Sequence, residues 1–165
     1  MYQTGEQVLY GMHGVCRVKA AQERVLDGKT RVFLVLEPEG QTGCQYLVPT
    51  HNAAAMANLR PMLTVTELQQ LLSSDEIRKS AWIADENQRK LTYRALISGG
   101  DRVQLLQMIY TLYRHQSKQR EQGKKFHQCD ENFLRDAEKL VCSEISAVMG
   151  MDADSTRSYL RDQLK

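Results

Sequence analysis

Long apolar runs are missing from these 165 residues, and no stretch approaches the ~18 residues that a membrane span needs. The N-terminal MYQTGEQVLY has no basic segment leading into an apolar one, so a secretory signal is not expected there. Proline is scarce, and tryptophan occurs once, at Trp82. The four cysteines (Cys16, Cys44, Cys129, Cys142) make no CxxC pair and no zinc-ribbon spacing. Thiols without a pattern suit a reducing cytosol, where they serve as small apolar residues. Catalytic signatures are absent as well. His13, His51, His115 and His127 have no Cys or carboxylate at metal-ligand spacing, and HExxH, GxSxG, Walker A and GxGxxG are all missing. The acidic pairs Asp85–Glu86 and Asp130–Glu131 are adjacent, so on a helix they point apart. No nucleophile, base and stabiliser can be assembled, and the expectation is a non-enzyme with no metal and no cofactor. An excess of either charge is lacking too: 22 Lys and Arg stand against 20 Asp and Glu, a net +2. A free-standing polyanion binder usually carries a large basic surplus, so any nucleic-acid role must rest on a local patch and a helping partner.

What is present divides near residue 62. Before it the chain reads as strands: Glu6–Tyr10, Val15–Val25, the apolar Arg31–Leu36, and Cys44–Val48 ending at Pro49. Gly11 and Gly14 bracket a turn, and Asp27–Gly28 has type I′ hairpin chemistry. Four or five short strands in about sixty residues predict a small, twisted, barrel-like sheet. Beyond Leu63 the period is helical. Thr64-Val-Thr-Glu67 is a capping box before Leu68, Leu71 and Leu72. A second helix is expected from about Asp75 to Ile97, with Ile77, Ala81, Ala84, Leu91 and Ala95 near one stripe and Trp82 embedded in it. Ser98–Asp101 stops it and caps a third, Arg102–Gln122, with Val103, Leu106, Ile109, Tyr110 and Tyr113 on its apolar face. Asp130–Met149 and Asp152–Leu164 complete the set. The expected class is α+β, with a β domain over 1–62 and a helical bundle of about five helices over 63–165.

Charge is uneven along the helical half. Between Arg114 and Lys125 five cations (Arg114, Lys118, Arg120, Lys124, Lys125) face one anion, Glu121, giving +4. From Phe126 to Lys165 five cations face eight anions, giving −3. The basic run is either a solvated helix end favoured by the helix dipole or a phosphate-binding patch.

The ordered residues resemble a known family. Gly5-Glu-Gln-Val-Leu-Tyr-Gly-Met-His-Gly-Val15 resembles the "GD-x-V-V-Y-x-x-H-G-V" opening of the CarD/CdnL family of bacterial transcription regulators. Phe33–Leu36, Leu47–Pro49, Leu59–Arg60–Pro61, Trp82, Ser98–Asp101, Leu112–Tyr113 and the Ala137…Leu140…Glu144 pattern follow in the family's order. The resemblance implies a Tudor-like β domain shared with the transcription-repair coupling factor, which binds the RNA polymerase β subunit largely by strand addition. It implies a helical domain on promoter DNA at the upstream bubble edge, with a tryptophan wedged in the minor groove and cations on phosphates.

Carried over by position, Arg24 and Cys44, Gln45, Tyr46 and Leu47 fall on the expected polymerase face, with Leu47 where some members have arginine. Tyr46 and Leu47 could equally be ordinary sheet residues. Trp82 matches the wedge but sits about one helical turn further from the Ser98–Asp101 stop, and could equally be core. The cations that usually follow it are Ala84 and Asp85 in this chain, so Arg89, Lys90 and Arg94 are the candidates there. Glu131 stands where relatives often have lysine, leaving Lys124 and Lys125, with Arg114 and Lys118, to meet phosphate. The implied protein is a cytoplasmic monomer away from membranes, with RNA polymerase and promoter DNA as partners. A different class, a protein-interaction adaptor on polymerase without DNA contact, accounts for the same composition.

Overall fold

A computed structural model describes residues 2–165, which form two compact units that divide between Met62 and Leu63. In the first, strands β1 (Gln7–Tyr10), β2 (Val15–Leu26), β3 (Lys29–Pro38), β4 (Tyr46–Pro49) and β5 (Leu59–Pro61) make one antiparallel sheet. Their order is β4-β3-β2-β1-β5, so β4 and β5 are its edges. The expected barrel is thus an open sheet, although a curled one: Tyr10 at the end of β1 meets Tyr46 at the start of β4, ring centroids 5.5 Å apart. Register explains its core. Val8 pairs with Cys16, Val18 with Leu36, and Leu34 with Val48, so alternation puts all six on one face, where they are fully buried. A short helix, α1 (Ala53–Ala57), capped by the Asn52 side chain, leads into β5. Neither α1 nor β5 is readable from periodicity, because five and three residues are too few to show one.

The β2–β3 hairpin outruns this core. Past an irregularity between Val18 and Ala20 the ladder continues to the Leu26–Lys29 pair, and residues 21–30 are exposed throughout. Asp27 and Gly28 close it with φ of 51° and 72°, the two left-handed residues that a type I′ turn requires.

The second unit contains α2 (Val65–Ser73), a 3-10 turn at Asp75–Lys79, α3 (Glu86–Gly99), α4 (Arg102–Glu121), α5 (Gln128–Met149) and α6 (Ala153–Gln163). Both halves of the Thr64–Glu67 capping box form at α2. The single helix expected over Asp75–Ile97 does not form. Ser74 caps the 3-10 turn, residues 80–85 belong to no helix, and Asp85 starts α3 by accepting from the Gln88 amide. Trp82 therefore lies on a connecting segment and not within a helix. The expected stripe breaks with it: Ile77 is buried, whereas Ala81, Ala84, Ala95 and Leu91, 68 % exposed, are outside. Left-handed Gly100 ends α3 and Asp101 caps α4. Helix α4 is buried over a wide stripe (Leu105, Leu106, Met108, Ile109, Leu112), against Phe133, Leu134, Ala137 and Ile145 of α5 and Leu160 of α6.

Candidate functional site

In the first unit β4 is the outer strand. Among the described residues it is paired to β3 alone, from Phe33–Pro49 to Leu36–Tyr46, which leaves a row of backbone groups open on its other side. Leu47 points out, 39 % exposed, while Tyr46 is half-buried and packs against His13 with centroids 4.3 Å apart. Cys44 and Gln45 precede the strand and do not belong to it, so the expected Cys44–Val48 strand begins two residues late.

The hairpin tip adds a second feature. Arg24 lies directly opposite Arg31, and Leu26 opposite Lys29, which sets all four on one face of the ribbon. Like charges in cross-strand register are unfavourable in the free protein. Three cations around Leu26, itself 45 % exposed, make a face that suits an acidic partner surface.

The second unit gathers its chemistry around Trp82. The His115 ring lies flat on the indole, 3.6 Å between centroids and 7° between planes. The Arg89 guanidinium carbon is 4.4 Å from the same ring. Arg89 is itself buried, 6 % exposed, and makes a two-pronged pair with Asp130 at 2.8 and 3.1 Å. Its remaining nitrogen donates to the Ile83 carbonyl at 2.9 Å, pinning the connecting segment that carries Trp82. Upstream, Ser80 Oγ donates to the Gln107 carbonyl at 2.9 Å and bonds the Thr111 hydroxyl, tying that segment to α4. Burial lowers the His115 pKa, Asp130 opposes that, and Arg89 and Lys118 add to it. The ring therefore favours its neutral form.

Trp82 and His115 line an open groove of about 990 Å³ that runs along the second half of α4. Arg114 and Lys118, one turn apart, line it too. Among the described residues no group of three or more His, Cys, Asp or Glu could hold a metal ion, and no helix is long and apolar enough to cross a membrane.

Comparison with known proteins bears on the first unit. Residues 2–62 match the family model of the CarD-like/TRCF RID domain. The first unit is a CarD-like/TRCF RID domain. The match ends where that unit ends, and it points to interaction with RNA polymerase. No curated protein matches the chain.

Arg24 and Leu47 are both exposed on the RID domain, on the ribbon and the edge strand respectively. The cations expected at DNA disperse. Arg114 and Lys118 share the groove with Trp82. Lys124 and Lys125 lie exposed in the loop after α4, and Arg94 is exposed on α3. Lys90 pairs with Glu86 at 2.6 Å one helical turn away. Arg89 is the exception, since its guanidinium is spent inside the unit on Asp130 and on backbone carbonyls, out of reach of a phosphate. Residues 29 and 31 on the ribbon face had a readable signal: a two-residue turn at Asp27–Gly28 sets the pairing by arithmetic, 26 with 29 and 24 with 31.

Proposed function

We propose that this protein is a transcription regulator that binds the β subunit of RNA polymerase through its RID domain and stabilises promoter complexes through its helical unit, by sequence-independent contacts with DNA at the upstream edge of the bubble. The observation that carries the reading is an open edge strand, β4, on a domain of the RID type. An added strand from polymerase would satisfy the free backbone groups of β4, with Leu47 and the Arg24 face supplying side-chain specificity. The curled sheet is read as Tudor-like. Once anchored, the helical unit acts at a high effective concentration near DNA, so a modest set of cations suffices. The protein performs no chemistry in this scheme. It shifts an equilibrium by binding one promoter state better than another.

The test is a pull-down of the polymerase β subunit with the full chain, with Arg24→Glu and with Leu47→Glu. Either variant should lose most of the capture, and full retention by both refutes the polymerase face. Melting of each variant, followed by a signal from the sheet, checks that the loss is not one of folding.

One observation favours the second reading, an adaptor on polymerase without DNA contact. Trp82 is engaged by both His115 and Arg89, which suits a structural indole as well as a wedge. Footprinting of a polymerase–promoter complex separates the two. Extra protection upstream of the bubble supports DNA contact, and its absence supports the adaptor. Trp82→Ala should shorten promoter-complex lifetime while leaving polymerase capture intact if the indole is the wedge.

A further inference from the structure

We infer that the α4 groove has a second wall that also holds the DNA backbone, built by Arg120 at the end of α4, by Arg161 of α6 and by Lys165 just beyond α6. The inference rests on the DNA reading above and extends it to Arg120 of the basic run and to two cations, Arg161 and Lys165, that lie outside that run.

Three observations carry it. First, the groove is lined by five cations (Arg114, Lys118, Arg120, Arg161, Lys165) and one carboxylate, Glu121. Within the groove the balance is thus +4, although α6 belongs to a stretch whose linear count is negative.

Second, the far wall is held in place. The Arg78 guanidinium donates to the Gln163 carbonyl at 2.9 Å and to the Leu72 and Ser74 carbonyls, which fastens the end of α6 to the end of α2. Leu160 and Leu164 are buried beneath it. Arg161 projects from this anchored turn more than half exposed, 3.9 Å from the buried Glu138 carboxylate. That carboxylate is already bonded by the Tyr113 hydroxyl at 2.7 Å and approached by Arg157 at 3.6 Å, so Arg161 retains donors for another anion.

Third, the aromatic rings in the groove are already occupied. Trp82 is stacked on His115, Tyr110 lies under Arg78 and Arg114 at 5.7 Å each, and Tyr113 is bonded to Glu138. A protein partner would look for free apolar anchors, and few are on offer. What the groove presents is cationic donors with Ser117 and Gln116, on an open face that follows α4. This is the chemistry of a phosphodiester backbone.

The experiment measures binding of the full chain to a short fluorescent DNA duplex by anisotropy, from about 50 to 200 mM salt. Each phosphate neutralised contributes roughly 0.9 to the slope of log affinity against log salt. Arg120→Gln/Arg161→Gln should flatten that slope by about two, as should Arg114→Gln/Lys118→Gln. Arg135→Gln, on an exposed position of α5 outside the groove, should leave it unchanged. Because Arg161 also neighbours Glu138, Lys165→Gln serves as the second variant. Its ion pair is with the exposed Asp162, and it should flatten the slope by about one. If the α4 pair flattens the slope while neither the Arg120/Arg161 pair nor Lys165→Gln does, the second wall is refuted and the DNA reading stands. If the wild-type chain shows no salt-dependent binding, the DNA reading falls and takes the second wall with it.

Discussion

Replacing Arg89 with methionine should destabilise the helical unit by about 3–5 kcal/mol, the range for removing one partner of a buried ion pair. The geometry places it in that range and well above the ~0–1 kcal/mol of an exposed pair. Both side chains are almost fully buried, at 7 % and 2 % exposure, and the pairing is two-pronged. Without the guanidinium, Asp130 keeps a desolvated carboxylate with no cation, and the Ile83 carbonyl loses its donor. For a unit of this size, ~4 °C per kcal/mol converts the loss to roughly 12–20 °C in melting temperature. The only tryptophan lies in this unit and touches Arg89, so Trp82 fluorescence during urea or thermal unfolding reads the helical unit alone. A second variant isolates the cause. Arg89→Met with Asp130→Leu removes both charges and should recover most of the loss, because apolar replacement of a buried pair is commonly close to neutral. Below the melting temperature, Arg89→Met should bind duplex DNA as the wild type does. A loss under about 1 kcal/mol, combined with weakened DNA binding, would show that Arg89 is a surface phosphate ligand and overturn the argument.

Stability should also depend on His115. Its folded-state pKa is lowered from the ordinary 6.5 chiefly by burial, so the unfolded chain takes the proton first. The contribution is therefore fully present above pH 6.5 and lost as pH falls through the folded-state value. Urea midpoints read by Trp82 fluorescence between about pH 7.5 and 5 should fall, and less steeply in His115→Phe; equal slopes would rule out this histidine as the cause. At the other end of the unit, Thr64→Ala removes the acceptor for the Glu67 amide and half of a capping box, and should lower stability by about 1 kcal/mol in the same assay.

How much of this could be read from the residues depends on the length over which a pattern runs. The α4 and α5 helices each repeat an apolar stripe over five turns or more, and their expected limits fall within two residues of the observed ones. The Thr64 and Asp101 caps are local chemistry and equally legible. The segment over residues 75–99 is different. Its apolar residues permit one long helix, but Ser80, Ile83 and Ala84 find better partners off-helix: Gln107 and Thr111 for the hydroxyl, Arg89 for the two carbonyls. Those partners are five to thirty-one residues away, beyond the reach of a periodicity argument. The burial of Arg89 is hidden from the sequence for the same reason. Asp130, the residue that buries it, is 41 positions downstream, and its neighbour Glu131 makes the pair look like surface charge.

The net charge shows why a linear count misleads about the site. Residues 126–165 sum to −3, yet three of their eight acids are buried: Asp130, Glu138 and Glu144. Asp130 takes Arg89, and Glu144 takes Arg102 at 2.7 Å, so these carboxylates act on the interior and not on an approaching anion. Arg161 and Lys165, counted in the acidic stretch, stand instead beside Arg114, Lys118 and Arg120. A helical return over some forty residues thus gathers cations that sequence order keeps apart. Screening makes that gathering decisive, because at physiological salt a charge matters to a phosphate only within about 8 Å. A chain of net +2 can therefore carry a groove lined by a net +4 while its summed field at longer range stays weak, which is the charge distribution that the proposed delivery by polymerase requires.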